Sequence, residues 1–150
     1  MTPLSFVNRE PIHKGWSSDR KFCVTDANQI HYLLRISDPA QYEEKQMEFR
    51  MMERLADLGV PMCRPIAFGL SEEGVYSVQS WIDGVDLESR IESLSPQKQH
   101  HYGLEAGRIL KQIHSIPAPE DWEDWEPRFN RKIDRKIRQY SECPIQYEGG

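Results

Sequence analysis

The chain has 150 residues, of which 38% are hydrophobic and 29% are charged, and its formal net charge is -5. A chain of this length and composition forms one modest domain, or a small lobe and the beginning of a second, and is not disordered. It has no apolar run of the roughly 18 residues that a membrane span needs, and no apolar core of a secretory signal near its start. We therefore expect a cytoplasmic protein that does not bind membranes.

Neither metal binding nor nucleic-acid binding is indicated by the charged and sulfur-containing residues. Cys23, Cys63 and Cys143 are widely spaced and have no histidine cluster beside them, which predicts free thiols and no metal site. The negative net charge argues against a general nucleic-acid binder. One basic segment, RFNRKIDRKIRQY at residues 128–140, is interpreted as a solvated helix face; binding to nucleic acid or to an acidic partner is the alternative.

Strand patterns recur along the chain up to residue 82. They predict a meander with strands inside residues 11–25 and 29–37, joined by the reverse turn DAN. A hairpin should follow, with strands at residues 66–68 and 75–82 on either side of the turn SEEG.

One long helix is predicted between the meander and the hairpin. Asp38 can cap its free amides, Pro39 suits the first helical position, and Gln41 is placed for a capping box. The helix should end near Leu58, because Gly59 can adopt the left-handed conformation that ends a helix.

The patterns become helical after Gly84. Ser95 and Pro96 should begin a helix that runs to about His114, and an amphipathic helix should follow. The apolar face of that last helix carries Phe129, Ile133, Ile137 and Tyr140.

Strands followed by helices predict an α+β fold with an antiparallel sheet of about five strands and one long helix. We expect a small lobe at residues 1–82, a hinge or linker at residues 83–94, and the first helices of a larger helical lobe at residues 95–150.

Arg35 interrupts an otherwise apolar strand, HYLLRIS, and shares one strand face with Leu33 and Ser37. On the following helix, Glu48 falls in a stripe with Met51, Met52, Leu55 and Leu58. A buried charge without a partner costs several kcal/mol, so we predict that Arg35 and Glu48 form an ion pair. Alternatively, Arg35 extends to solvent from an edge strand and Glu48 is simply exposed.

A short turn precedes the second strand pattern and contains Gly15, Ser17 and Ser18. A glycine that allows close backbone approach, with hydroxyl and amide donors beside it, suits phosphate oxygens. An ordinary surface turn is the alternative.

Five segments occur in an order that carries a resemblance: GWSSDRKFCV, YLLRI, EFRMMERLADLGVPMCRPIAFG, YSVQSWIDG and AGRILKQIHSIP. Together they resemble the amino-terminal half of the aminoglycoside phosphotransferase family. These are bacterial enzymes of protein-kinase-like fold that phosphorylate a hydroxyl of aminoglycoside antibiotics. The resemblance covers nearly the whole chain and implies a kinase-like small lobe followed by helices of the large lobe.

The resemblance implies a nucleotide-binding site in the small lobe. The turn from Gly15 to Ser18 would cover the triphosphate. Arg35 would contact the α- and β-phosphates where the family more often has Lys, and Glu48 would orient it. The remaining residues would hold the base. The implied nucleotide-binding residues are Gly15, Trp16, Ser17, Ser18, Leu33, Arg35, Glu48, Gln79, Ser80 and Ile82.

Within the base pocket, the resemblance implies separate roles. Leu33 would line the pocket, the carbonyl of Ser80 and the amide of Ile82 would pair with the base edge, and Gln79 would lie deeper beside it. The cofactor implied is ATP or GTP with Mg²⁺.

The family's catalytic motif, HGD-x4-N, and its later magnesium-binding Asp do not occur in these 150 residues. No catalytic residue and no metal ligand is therefore assigned. Positioning a phosphate and transferring it are separate tasks, so we expect nucleotide binding without efficient turnover from these residues alone. An aminoglycoside-like small molecule is expected as a partner only with a large lobe.

Two alternatives of other classes stay open. The first is a noncatalytic nucleotide-binding or protein-interaction module built on the same lobe, and the second is a small α+β protein without a nucleotide site. If large-lobe helices are left uncovered, we expect self-association through their apolar stripes.

Overall fold

The computed structural model describes residues 5–118, 120 and 122–145. Within these residues there are five strands and three α-helices. The strands are β1 (Phe6–Pro11), β2 (Arg20–Asp26), β3 (His31–Ser37), β4 (Pro65–Ser71) and β5 (Gly74–Ser80). The helices are α1 (Tyr42–Asp57), α2 (Pro96–Ile113) and α3 (Trp125–Ser141). Short 3-10 helices lie at Pro39–Gln41, Leu87–Ser89 and Ile91–Ser93.

The five strands form one sheet in the order β1-β2-β3-β5-β4, and all neighbouring strands are antiparallel. This confirms the predicted α+β fold with a five-stranded sheet and one long helix beside it. The position predicted for the first strand is wrong. The strand ends at Pro11 instead of beginning there, and residues 12–19 form a loop. β1 is an edge strand with mostly exposed residues, so no alternation of apolar and polar residues marks it in the sequence.

One face of the sheet carries the apolar core. Val24, Leu34, Ile36 and Val78 are buried there, one or two from each of three adjacent strands. Burying side chains of this kind stabilises the fold by about 1.5–3 kcal/mol each. Because side chains alternate along a strand, Arg35 must project from the opposite face.

Helix α1 packs on that opposite face. Its Phe49 and Tyr42 rings each lie with their centroids 5.4 Å from the ring of Phe68 on β4. The predicted cap is confirmed, since the Asp38 carboxylate accepts a hydrogen bond from the Ala40 amide at 2.8 Å. It begins the 3-10 helix Pro39–Gln41, and α1 follows from Tyr42; the Gln41 side chain makes no capping hydrogen bond there.

The apolar stripe predicted for this helix is rotated relative to the real one. Glu48, Met51 and Leu58 are exposed, whereas Phe49 and Met52 are half-buried on the side of the sheet. The prediction was therefore wrong about Glu48. The aromatic contact between Phe49 and Phe68 fixes the rotation of the helix, and Lys45, one turn before Phe49, also points towards the sheet.

The chain divides into two compact units, residues 1–115 and 116–150. Helix α2 belongs to the first unit and begins as predicted, with the Ser95 hydroxyl accepting a hydrogen bond from the Lys98 amide. Helix α3 belongs to the second unit, and the apolar side chains of its predicted face are 38–59% exposed. The boundary predicted between a small lobe ending at residue 82 and a linker beginning at residue 83 stays a prediction. The predicted self-association also stays a prediction.

Within the described residues, each helix is too short or too polar to span a lipid bilayer. The cytoplasmic location stays a prediction.

Gly74 allows the turn of the β4–β5 hairpin to approach the backbone at the end of β3 closely. Its φ is +129°, and a Cβ there would lie 2.2 Å from the carbonyl oxygen of Ser37. We expect Gly74→Ala to lower the free energy of unfolding by more than the 1–3 kcal/mol that a strained backbone costs by itself. Urea unfolding measures the change.

Gly84→Ala is the matched control, because nothing lies within 4 Å of a Cβ at Gly84. It should change the free energy of unfolding by less than about 1 kcal/mol. Equal effects of the two substitutions would contradict the close approach at Gly74.

Candidate functional site

Asp19 is the most buried charged group of the site. It lies at the end of the loop between β1 and β2, and its side chain is only 2% exposed. A buried carboxylate is stable only if hydrogen bonds and cations replace its water.

Three side chains supply those partners. The Arg35 guanidinium donates a hydrogen bond from Nη2 to Asp19 Oδ2, and the Ser37 hydroxyl donates to Oδ1 at 3.0 Å. The Lys45 ammonium lies 3.6 Å from Oδ1. Asp19 therefore joins strand β3, which carries Arg35 and Ser37, to helix α1, which carries Lys45.

The pKa of Asp19 is lowered by this arrangement. Burial by itself raises the pKa, but the hydrogen bonds from Arg35 and Ser37 and the charges of Arg35 and Lys45 outweigh it. The group is therefore held as a carboxylate at neutral pH.

The predicted ion pair between Arg35 and Glu48 is wrong, because each has another partner. Arg35 pairs with Asp19, and Glu48 accepts hydrogen bonds from Lys45 at 3.1 and 3.3 Å. The Glu48 side chain is 49% exposed and lies at the edge of the small cavity between α1 and the sheet. The strand cation and the helix carboxylate are still connected, through Asp19 and Lys45.

Arg35 keeps part of its hydrogen-bonding capacity. Among the described residues, only its Nη2 has a hydrogen-bond partner, and its side chain is 29% exposed. A guanidinium has five N–H donors in a fork, so one edge can bind a carboxylate while the other binds a second anion.

A second cation lies beside Arg35 on the same sheet face. Lys21 of β2 is directly opposite Arg35 in the strand register. Its ammonium donates to the carbonyl of Lys14 at 2.9 Å, and so holds the loop between β1 and β2 against the sheet. Two cations therefore lie next to each other on this face, beside the carboxylates of Asp19 and Glu48.

The space between α1 and the sheet is small. A cavity of about 20 Å³, lined by Asp19, Arg35, Glu48 and Gln79 among others, has room for about one water molecule. A larger anion therefore has to approach Arg35 from its exposed side.

The predicted phosphate-binding turn lies within that loop. Gly15 has a φ of +102°, which a glycine adopts without strain, and a Cβ there would lie 2.9 Å from the Lys21 ammonium. Trp16 is fully exposed, and Ser17 and Ser18 are also exposed. Their role in binding phosphate stays a prediction.

The predicted base-pocket residues lie on β3, on β5 and just beyond. Leu33 is directly opposite Gln79 in the register, and Gln79 is buried. Ser80 ends β5, and its hydroxyl accepts a hydrogen bond from the Arg64 amide at 2.8 Å. Ile82 is 58% exposed. The structure thus brings Leu33, Arg35 and Gln79 to one sheet face, and their nucleotide contacts stay predictions.

Sequence reasoning missed Asp19 and Lys45. Asp19 directly precedes a strand in SSDRK, and Lys45 lies one helical turn before Phe49. Two signals could have indicated them: an acid at the entry to a strand, and a cation in register with the aromatic stripe. Neither signal indicates which residue Asp19 or Lys45 pairs with, because these two residues are distant from each other in the sequence.

Cys23, Cys63 and Cys143 are free thiols. In the described part of the chain, no three His, Cys, Asp or Glu side chains form a group that could hold a metal ion.

A five-stranded antiparallel sheet with one long helix over its cationic face, followed by helices, is the arrangement of a kinase-like small lobe. The model of the phosphotransferase enzyme family matches residues 8–148. The chain belongs to this family, and the resemblance stated from the sequence is confirmed at that level. No curated protein matches the chain.

We expect Asp19→Asn to lower the free energy of unfolding by about 1.5–3 kcal/mol at neutral pH, because the partly exposed Arg35 loses its carboxylate while Lys45 keeps Glu48. The pKa of Asp19 is lower in the folded state, so its contribution is complete above about pH 4 and is lost as the pH falls through the folded pKa. Denaturant unfolding from pH 7 to pH 2 measures this.

Asp57→Asn, at the exposed end of α1, is the control and should change stability by at most about 0.5 kcal/mol. The difference between wild type and Asp19→Asn should shrink below pH 4. A difference that is small at pH 7, or constant down to pH 2, would contradict the buried ion pair.

Proposed function

We propose that this chain is the nucleotide-binding part of a phosphotransferase that moves the γ-phosphate of ATP or GTP to a hydroxyl of an aminoglycoside-like small molecule. Membership of the phosphotransferase family supports the reaction class. The observation that carries the proposal is the partly exposed guanidinium of Arg35, which is anchored at one nitrogen by Asp19 and has Lys21 opposite it on β2. The acceptor class is inferred from the family resemblance.

In this proposal, Arg35 binds the α- and β-phosphates with the edge of its fork that Asp19 does not use. Bidentate bonds between a guanidinium and phosphate oxygens are charge-assisted and directional. Lys21, directly opposite on β2, adds positive charge beside the same oxygens. The loop between β1 and β2, which contains Gly15, then covers the phosphates at the end of the sheet where this loop lies.

The base lies along β3 and β5 in the same proposal. Leu33 contributes an apolar surface, and Gln79, opposite it, limits the depth of the pocket. The chain leaves the sheet after Ser80, where β5 ends, so the backbone up to Ile82 can pair with the edge of the base.

Transfer of the phosphate requires Mg²⁺ and a group that orients the acceptor hydroxyl. The HGD-x4-N motif that would provide this group is absent from the 150 residues. The proposal therefore assigns to the residues of this chain only the binding and orientation of the donor nucleotide.

Isothermal titration calorimetry with ATP and with GTP tests the proposal. We expect saturable binding of at least one of them, and Arg35→Ala should weaken it roughly ten- to a hundredfold, because charge-assisted hydrogen bonds contribute about 1.5–3 kcal/mol. Thermal unfolding of each variant checks that the fold is retained.

Arg20→Ala is the matched control. Arg20 is on the neighbouring strand but opposite Ile36, hence on the other sheet face, where it pairs with Glu73. It should leave the nucleotide affinity within about twofold. Absence of heat and of any thermal shift at millimolar ATP and GTP would remove the proposed function.

A further inference from the structure

We propose that Asp19 is the positioning residue of this site: it holds the Arg35 guanidinium in the orientation that binds phosphate. This inference rests on the proposed function and assigns to Asp19 the task that the family resemblance gives to Glu48. Asp19 would act through Arg35 and would not itself touch the nucleotide.

The unequal burial of the two partners supports this role. The Asp19 side chain is 2% exposed, whereas the Arg35 side chain is 29% exposed. The carboxylate therefore lies beneath the guanidinium and binds it from the interior of the protein. An anion arriving from solvent meets the other edge of the fork, so carboxylate and phosphate need not compete for the same nitrogens.

Asp19 is itself held in place from two directions. The Ser37 hydroxyl and the Lys45 ammonium both approach Oδ1, which leaves Oδ2 for Arg35. A carboxylate fixed on one oxygen in this way cannot rotate freely, so it restricts Arg35 to a narrow range of orientations. Preorganisation of this kind reduces the entropy that Arg35 loses on binding a ligand.

The charges around Asp19 are compatible with phosphate binding. Arg35 and Lys45 together carry two positive charges, and Asp19 and Glu48 carry two negative charges. Lys45 lies between the two carboxylates, and the half-exposed Glu48 is screened by water more than the buried Asp19. Among the described residues, Arg35 pairs with no carboxylate other than Asp19, so the other edge of its guanidinium remains available to an anion.

The opposite role would be that of a competitor, in which Asp19 occupies Arg35 until a phosphate displaces it. The two roles predict opposite changes in phosphate affinity when Asp19 is removed. If Asp19 competes, its removal raises the affinity for phosphates; if it positions Arg35, its removal lowers that affinity. Its burial and its bonds to Ser37 and Lys45 favour the positioning role.

The test compares the whole nucleotide with its two halves in the Asp19→Asn variant. The nucleoside triphosphate that binds wild type, its matching nucleoside and inorganic tripolyphosphate are each titrated against both proteins at a temperature where circular dichroism shows both folded. We expect the triphosphate and tripolyphosphate to bind about tenfold more weakly to the variant, and the nucleoside to change less than about twofold.

Ser37→Ala provides a milder second variant, because it removes one hydrogen bond to Asp19 and keeps every charge. It should weaken triphosphate and tripolyphosphate binding about two- to fivefold, and the nucleoside again less than about twofold. Asp57→Asn, which removes an exposed carboxylate of α1, is the control and should leave all three affinities unchanged.

Unchanged or increased triphosphate affinity in Asp19→Asn would overturn the proposal, as would an equal loss for nucleoside and tripolyphosphate. If Asp19→Asn does not fold, Ser37→Ala decides by the same criteria. Failure of wild type to bind any triphosphate would instead reject the proposed function, so the two failures are distinguishable.

Discussion

The site depends on one constraint, which is that the buried carboxylate of Asp19 must be satisfied. Its two oxygens receive a guanidinium, a hydroxyl and a nearby ammonium, contributed by a strand and a helix that come together only in the folded chain. A buried charge with these partners is stable, whereas the same charge without one of them is strongly destabilising. The position of α1 over the sheet and the orientation of Arg35 are therefore set together.

The link between strand and helix is longer than the direct pair that the family resemblance implies. Arg35 is bonded to Asp19, Asp19 lies near Lys45, and Lys45 is bonded to Glu48. An arginine at this strand position has a longer and wider head group than the more common lysine. Asp19, in the loop before β2, can hold that head group at one edge. Glu48, on the helix, then pairs with Lys45.

Local signals in the sequence were sufficient for most of the elements, with β1 as the exception. Asp38 and Pro39 mark the start of the 3-10 turn that leads into α1, and Gly59 marks the end of α1, because caps and left-handed glycines act within a few residues. The hairpin β4–β5 was predictable for the same reason. The site was predicted less well. Arg35 was singled out correctly as a charge that needs a partner, but its partner lies 16 residues away in a loop.

The rotation of α1 explains why the predicted packing of Glu48 against the sheet was wrong. Glu48, Met51 and Leu58 formed a plausible stripe, yet the helix turns so that Phe49 meets Phe68 on a strand formed later in the chain. Helical periodicity shows that a helix is amphipathic but leaves its rotation uncertain by about one residue when polar and apolar residues alternate closely. Contacts between aromatic rings from distant segments settle the rotation, and they are not visible in the sequence.

The central claim is that Asp19 contributes to nucleotide binding through Arg35, and a double-mutant cycle tests it most directly. The free energy of ATP or GTP binding is measured for wild type, Asp19→Asn, Arg35→Ala and the double variant. Our account predicts that Asp19→Asn has no further effect once Arg35 is removed, with a coupling energy of about 1 kcal/mol or more. Strictly additive effects of the two substitutions would contradict it.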